Sequence, residues 1–162
     1  MIKTAILTVS DKGSKGERKD ETGKKLKNLL ENRDYKIEYY KIIPDEIDII
    51  SKELINLCDK EKANLIITNG GTGFSKRDVT PEATKMVIEK YVPGFGEAMR
   101  ASSLSITPKA ILSRGISGIR KNSLIINLPG SPKAATENLQ AVIEAIPHGI
   151  EILLGQASEC AR

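Results

Sequence analysis

Short apolar runs recur along the chain and are separated by segments of mixed polarity. Residues 3–10, 64–68 and 123–128 are nearly continuous apolar runs, whereas residues 35–43 roughly alternate between apolar and polar side chains. Continuous runs of this length, rich in β-branched residues, are typical of strands buried in a parallel sheet. The pattern therefore predicts four strands, and residues 109–121 add an irregular strand or hairpin.

Helical periodicity occupies most of the chain between these strands. Apolar residues recur at helical spacing, and glycine or proline stands at several of the boundaries. The predicted helices are 22–33, 46–60, 81–91, 94–104 and 132–146. Thr80 and Ser131 are predicted N-caps, because each precedes a proline that would occupy the first helical position.

Alternating strands and helices predict an α/β fold. The expected architecture is a single three-layer α/β/α domain with a mostly parallel central sheet, spanning residues 1–155. A short apolar segment at 150–154 is expected to pack back onto the core. Residues 156–162 are expected to form a disordered tail.

A glycine-rich loop joins the third strand to the third helix. Gly70, Gly71 and Gly73 flank Thr72, and Asp78 follows five residues later. Glycine lets the backbone approach a ligand closely and adopt positive φ, and successive N–H groups in such a turn form a concavity that binds anions. Lys76 and Arg77 would add positive charge, and the Asp78 carboxylate could hold Mg²⁺. The glycines alone are equally compatible with a plain connection, since the loop matches neither the P-loop nor the dinucleotide fingerprint.

Polar segments follow four of the predicted strands at their carboxyl ends. These segments are Ser10 with Asp11, Pro44 with Asp45, residues 69–78 and residues 129–133. Ligands of open parallel sheets bind beyond the carboxyl ends of the strands. The shared placement predicts one site for a phosphate-bearing ligand, although Asp45 taken alone is also a plausible helix N-cap.

Composition narrows the classes of partner. The chain has 162 residues, is 40% hydrophobic and 28% charged, and carries a net charge of +4. Seven Lys or Arg against three Asp or Glu lie between Lys12 and Lys27, as either a solvated loop or a basic lip over an anionic ligand. Aromatic residues make up 4% with no Trp, which disfavours stacking on nucleic acid.

Cysteine usage and hydropathy favour a cytoplasmic protein. Cys58 and Cys160 lie far apart without a partner motif, which disfavours a disulfide framework or a zinc site. No apolar run reaches the length of a membrane span, and the apolar N-terminus lacks the pattern of a signal peptide.

Six motifs, in this order, resemble the MogA-type molybdopterin adenylyltransferases within the MogA/MoaB family of molybdenum cofactor biosynthesis. The likeness covers about residues 4–155. The motifs are 6–11 (ILTVSD), 43–46 (IPDE), 68–83 (TNGGTGFSKRDVTPEA), 93–100 (PGFGEAMR), 110–114 with 118–120 (AILSR, GIR) and 127–133 (NLPGSPK).

The resemblance implies a reaction and a set of partners. It implies that ATP adenylylates the phosphate of molybdopterin, with Mg²⁺ as cofactor and pyrophosphate as the second product. It also implies a homotrimer and transfer of the product to a molybdate-insertion protein. A non-catalytic molybdopterin carrier of the MoaB type is the alternative, and the related domain of molybdate-insertion proteins is a third possibility.

The same resemblance implies roles for individual residues. Asp45 and Asp78 match the two functional aspartates of the family and would position metal and phosphate. The residues expected to hold nucleotide phosphate are Gly70, Gly71, Thr72 and Gly73, and those expected to contact pterin or nucleotide are Ser10, Asp11 and Ser131.

For four ionisable residues, the sequence is compatible with either a functional or a structural role. Glu97 and Arg100 match a family motif, but they could equally serve helix-start electrostatics and a surface ion pair. Lys133 could bind phosphate or simply occupy the first turn of a helix. His148, the single histidine, is expected to have a structural or surface role rather than one in acid–base catalysis.

Overall fold

The computed structural model describes residues 1–156, in which helices pack on both faces of a six-stranded sheet. The strands are β1 (Ile2–Val9), β2 (Tyr35–Ile43), β3 (Leu65–Asn69), β4 (Lys90–Tyr91), β5 (Ser117–Arg120) and β6 (Ser123–Leu128). The helices are α1 (Asp11–Ser14), α2 (Glu21–Glu31), α3 (Ile47–Asp59), α4 (Thr80–Val87), α5 (Pro93–Leu104), α6 (Pro132–Val142) and α7 (Ile146–Leu153), with 3-10 turns at Pro108–Leu112 and Ile143–Ala145.

The sheet has the order β2-β1-β3-β6-β5-β4. The first four strands run parallel, and β5 and β4 extend the sheet as an antiparallel edge. The predicted three-layer α/β/α architecture with a mostly parallel sheet is confirmed. The order of strands reverses between β1 and β3, which is where open α/β sheets bind their ligands.

Two apolar cores lie on opposite faces of the sheet. Ile6 of β1 and Ile67 of β3 point into a core shared with α2, α5, α6 and α7. Leu7 and Ile66, one residue along each strand, point into the other core, shared with α3 and α4. Burial on both faces is why these strands are continuous apolar runs rather than alternating ones.

Three boundaries differ from the sequence-based expectation. The segment expected to be a loop from residue 12 contains α1, which Ser10 caps by accepting a hydrogen bond from the Gly13 N–H at 3.0 Å. The helix expected over 81–91 ends at Val87, because the chain turns there and Lys90 pairs with Ile119 of β5. Residues 108–112 form a 3-10 turn rather than a strand, so only β5 of the expected hairpin is present.

The C-terminal segment joins the core through α7, as Ile146 and Ile150 are fully or almost fully buried. The Gln156 N–H donates to the Glu151 carbonyl at 2.9 Å. The rest of the expected tail, 157–162 with Cys160, lies outside the described residues. No helix in the described part of the chain combines the length and the hydropathy required to span a bilayer.

The Asn127 side chain ties three elements together in the interior. Asn127 is 1% exposed, and its amide donates to the hydroxyls of Thr68 at 2.9 Å and Thr84 at 3.0 Å. Its Oδ1 accepts the Ile116 N–H at 3.2 Å. One amide therefore joins β6 to β3, to α4 and to the segment that precedes β5.

We expect Asn127→Ala to lower the free energy of unfolding by about 1–3 kcal/mol, because it leaves buried polar groups without partners. Urea unfolding measures the change. Asn28→Ala, at an exposed position of α2, is the matched control and is expected to stay within about 0.5 kcal/mol of wild type. Equal effects of the two variants would contradict the structural role of Asn127.

Candidate active site

A cavity of about 690 Å³ opens at the carboxyl ends of the parallel strands. It lies between the ends of β1 and β3 and the starts of α2, α3 and α6. Its wall consists of Thr8, Val9, Ser10, Gly13, Arg18, Lys19, Asp20, Glu21, Thr22, Asp45, Asn69, Gly70, Gly71, Asp78, Gly130, Ser131 and Pro132. The structure therefore brings together all four strand-end segments that the sequence predicts.

Most, but not all, of the predicted site residues line this cavity. Those in the wall are Ser10, Asp45, Gly70, Gly71, Asp78 and Ser131. Asp11, at the start of α1, and Thr72 and Gly73, in the glycine loop, are not part of the wall. The predicted capping role of Ser131 is confirmed, because its hydroxyl accepts the Ala134 N–H at 3.2 Å.

Glycine is required at positions 70 and 71. Both residues have positive φ, at 95° and 68°. A Cβ on Gly70 would lie 2.3 Å from the Val9 carbonyl oxygen, and a Cβ on Gly71 would lie 2.3 Å from Thr80 Oγ1 and 3.1 Å from Asp45 Oδ1. The loop can therefore cross the end of β1 only without side chains at these two positions.

Thr80 holds the loop from the helix side. It is the first residue of α4 rather than its N-cap, which is Val79, so the predicted capping role is wrong. The Thr80 hydroxyl instead donates to the Gly70 carbonyl at 2.8 Å, and the Thr80 N–H donates to the Gly71 carbonyl at 3.1 Å. These bonds fix the loop against the start of α4.

Asp45 does not cap α3, whose N-cap residue is Glu46. The Asp11 N–H donates to Asp45 Oδ2 at 2.8 Å, and the Asp45 N–H donates to Asp11 Oδ1 at 3.0 Å. Each aspartate thus donates its backbone N–H to the carboxylate of the other. These two hydrogen bonds join the end of β1 to the end of β2.

Each of the two expected functional aspartates keeps one oxygen available. Asp45 Oδ2 accepts the Asp11 N–H, and Asp78 Oδ2 accepts the Ser75 N–H at 2.9 Å. Within residues 1–156, Oδ1 of Asp45 and Oδ1 of Asp78 accept no hydrogen bond. Two carboxylates with one available oxygen each fit Mg²⁺, which takes one or two carboxylates together with phosphate oxygens and water.

The electrostatics of Asp45 favour a cation nearby. Burial raises the pKa of its carboxyl, and the charges of Asp11 and Asp78 raise it further, against the opposing effects of the Asp11 N–H and Arg77. A divalent cation would offset this repulsion. No group of three or more His, Cys, Asp or Glu side chains in the described residues could hold a metal by itself, so phosphate oxygens would have to complete the coordination.

The cations of the site differ from those expected. Arg77 is engaged by carboxylates, with its Nε and Nη2 each 3.0 Å from Asp11 and its Nη2 2.8 Å from Glu46. Lys76 does not line the cavity, whereas Arg18 and Lys19 do. Neither Arg18 nor Lys19 forms an ion pair within residues 1–156. The basic segment expected as a loop or a lip therefore brings two cations to the wall.

Arg114 binds the glycine loop, and Arg100 binds the chain segment that contains Arg114. Arg114 donates to the Gly73 carbonyl and to the Asp78 carbonyl, both at 2.8 Å, and pairs with the Glu82 carboxylate. Arg100 donates to the Gly115 carbonyl at 2.8 Å, next to Arg114 in the chain. Arg100 therefore binds backbone carbonyls and not the surface ion pair that the sequence left open. The sequence signal for both roles was only their place in the AILSR and PGFGEAMR motifs.

Asp20 lines the cavity, and no role for it was predicted from the sequence. Its Oδ2 accepts the Thr8 hydroxyl at 2.5 Å and the Tyr40 hydroxyl, while its Oδ1 caps α2 by accepting the Gly23 N–H at 2.8 Å. Asp20 therefore fixes the floor of the cavity, and both of its oxygens have partners.

Three of the residues with two interpretations lie away from this centre. Glu97 is exposed on α5, and Lys133 is exposed on α6 with its Nζ 3.9 Å from Glu137. His148 is exposed on α7, with its Nδ1 3.7 Å from a Glu151 oxygen. None of the three lines the cavity, which fits the surface role expected for His148.

Comparisons with known proteins identify the family. Residues 5–148 match the family described as "Probable molybdopterin binding domain". The chain belongs to this family. It is 48% identical to the molybdopterin adenylyltransferase of Helicobacter pylori (strain ATCC 700392 / 26695), over 95% of this chain and 89% of that one. It is 41% identical to the molybdopterin adenylyltransferase of Escherichia coli (strain K12), over 92% of this chain and 80% of that one.

A solved structure agrees with this membership. The crystal structure of the molybdopterin biosynthesis enzyme MoaB from Thermus thermophilus superposes with a TM-score of 0.92 at 45% identity, covering 98% of this chain and 100% of that one. The family resemblance stated from the motifs is therefore confirmed.

We expect Gly71→Ala to disrupt the loop, because a Cβ there meets Thr80 at positive φ, a strain of about 1–3 kcal/mol. Chemical denaturation should register this loss of stability. Gly94→Ala is the control, since a Cβ there meets no atom within 4 Å and the residue lies in α5. The interpretation fails if Gly71→Ala is as stable as Gly94→Ala.

Proposed function

We propose that this protein is a molybdopterin adenylyltransferase that transfers AMP from ATP to the phosphate of molybdopterin and releases pyrophosphate. The observation that carries the proposal is the meeting of Gly70 and Gly71 with the available oxygens of Asp45 and Asp78 in one cavity. Relatives at 41% and 48% identity bear the same activity in their names.

The reaction brings two anionic phosphates together, so positive charge and fixed donors must offset their repulsion. The backbone N–H groups of Gly71, Thr72 and Gly73 are proposed to hold nucleotide phosphate. The expectation that Gly70 also donates its N–H is wrong, because that N–H donates to the Leu128 carbonyl at 3.1 Å. Gly70 is instead proposed to allow the close approach of the loop to the end of β1. Ser10 and Ser131 in the cavity wall are proposed to contact pterin or nucleotide. Arg18 and Lys19 would add positive charge facing the substrates.

Mg²⁺ is the proposed cofactor, and Asp45 and Asp78 are the residues that would hold it. When bound, Mg²⁺ would neutralise charge on the phosphate oxygens and help to align them. The two aspartates would supply one oxygen each, because their other oxygens accept backbone N–H groups. Both residues thereby serve as positioning groups for metal and phosphate, consistent with catalysis that consists largely of orientation and electrostatics.

Assembly and cellular context remain proposals that rest on the family. A homotrimer is proposed, and exposed apolar side chains around the end of α5 offer surface for self-association; they are Leu104, Ile106, Ile111 and Leu112. The adenylylated pterin is proposed to pass to a molybdate-insertion protein. The buried thiol of Cys58 is compatible with a reducing cytoplasm.

Pyrophosphate release in the presence of molybdopterin, ATP and Mg²⁺ tests the activity. We expect Asp78→Asn and Asp45→Asn to lower kcat by about 10²-fold or more, because each removes a charged ligand of the metal that would position the phosphates. Asp48→Asn, at an exposed position in the first turn of α3, is the control and should retain wild-type turnover. A wild-type protein that binds the pterin without releasing pyrophosphate would make it a non-catalytic carrier instead.

Removal of divalent metal tests the cofactor. We expect EDTA to abolish pyrophosphate release and Mg²⁺ to restore it, with Asp45→Asn needing a higher Mg²⁺ concentration for half-maximal rate. Titration of Mg²⁺ against initial rate gives the comparison. Full activity in EDTA would exclude a metal role for the two aspartates.

A further inference from the structure

Arg77 stands next to Asp78 in the glycine-rich loop, where the sequence predicts that it adds positive charge to a phosphate-binding turn. Its guanidinium instead grips Asp11 with two donors, Nε to Oδ2 and Nη2 to Oδ1, both at 3.0 Å. A third contact joins Nη2 to Glu46 Oε1 at 2.8 Å. This forked geometry is the strong form of an arginine–carboxylate pair.

Asp11, which Arg77 holds, is in turn hydrogen-bonded to Asp45. One Asp11 oxygen accepts both the Asp45 N–H and an Arg77 N–H, and the other accepts Arg77 alone. The Asp11 N–H in turn donates to Asp45 Oδ2 at 2.8 Å. With its oxygens engaged and its place outside the cavity wall, Asp11 is better suited to hold Asp45 than to hold a ligand.

The resulting assembly joins the ends of three adjacent parallel strands. Asp11 follows β1, Asp45 and Glu46 follow β2, and Arg77 lies in the loop after β3. Arg77 forms ion pairs with Asp11 and Glu46. Its charge also lowers the pKa of Asp45, against the opposite effect of Asp78. Its placement leaves Asp45 Oδ1 on the side of Gly71, where a Cβ on that glycine would lie 3.1 Å away.

We propose that Arg77 and Asp11 are positioning residues, which together fix the Asp45 carboxylate at the metal side of the cavity, and that neither is a substrate ligand. The proposal rests on the adenylyl transfer proposed above for its kinetic consequences, but its geometry concerns the ligand-free protein. Displacement of a reacting group by about 1 Å costs about 10²-fold in rate, so loss of the grip should act on turnover.

Four variants and one control separate this role from phosphate binding. Arg77→Ala and Asp11→Asn are each expected to lower kcat by about 10- to 100-fold while the KM for ATP changes less than about 3-fold. Arg77→Lys keeps the charge but loses the fork, so it should resemble Arg77→Ala. The double variant R77A/D11N should be no slower than the slower single variant, because both remove one shared interaction. Lys76→Ala, the neighbouring exposed cation, should behave as wild type.

A phosphate ligand would give a different result. A rise of about tenfold or more in the KM for ATP with kcat retained in Arg77→Ala, together with rescue by Arg77→Lys, would overturn the proposal. Multiplicative losses in the double variant would also overturn it, since independent residues add their effects in free energy.

Hydrogen exchange in the ligand-free protein gives a readout that needs no turnover. The amides of Asp11 and Asp45 donate to each other's carboxylates, so we expect Arg77→Ala to accelerate exchange at both while the amides of β3 keep wild-type protection. Glu46→Gln, which weakens one of the three Arg77 contacts, should give a smaller acceleration and serves if Arg77→Ala fails to fold. Unchanged exchange at both amides would overturn the proposal. If wild type shows no adenylyl transfer but these amides respond, the proposed function fails and the positioning role stands.

Discussion

The close approach of the glycine loop to the end of β1 is the constraint on which the site depends. Residues 70 and 71 pass between the Val9 carbonyl and Thr80 with no room for a side chain. This crossing lies between β1 and β3, where the strand order reverses, so the loop enters the crevice in which α/β sheets bind ligands. Two buried apolar cores hold the strands in place, and the strands in turn fix the two ends of the loop.

The cavity contains both carboxylates and cationic side chains, and several of them already form contacts within the protein. Burial and neighbouring carboxylates raise the pKa of Asp45, while Arg77 lowers the pKa of Asp11. Arg77 and Arg114 are both committed to contacts within the protein. Arg18 and Lys19 are the two cationic side chains that line the cavity among the described residues. Under the proposed function, these two residues and the proposed Mg²⁺ would offset the negative charge of the two phosphates.

Hydrophobic periodicity was enough to predict the four parallel strands and most helices, because burial on both faces leaves continuous apolar runs. It could not predict β4, because these two residues form a strand only through their pairing with β5. It also could not predict α1, a short polar helix that the Ser10 cap stabilises. Strand-end placement predicted the cavity. The partners of Arg77, Arg100 and Arg114 were beyond prediction, because their acceptors lie 13 to 66 residues away in the chain. The alternative role of Asp45 as a helix cap is wrong for the same reason, because its carboxylate accepts the N–H of Asp11, 34 residues away.

The cavity is unequal on its two sides, and this asymmetry suits a reaction between two different phosphates. Asp45 and Asp78 precede α3 and α4, which cover one face of the sheet, whereas Asp20 and Ser131 cap α2 and α6 on the other. The Thr22 hydroxyl joins these two helix starts by donating to the Gly130 carbonyl at 2.7 Å. The carboxylates of Asp45 and Asp78, each with one oxygen that accepts no hydrogen bond from the described residues, thus lie on one wall of the cavity. The other wall carries the cations Arg18 and Lys19 and the hydroxyl groups, together with the hydrogen-bonded carboxylate of Asp20. The two walls come from the starts of helices on opposite faces of the sheet, so both helical layers of the three-layer architecture contribute to the site.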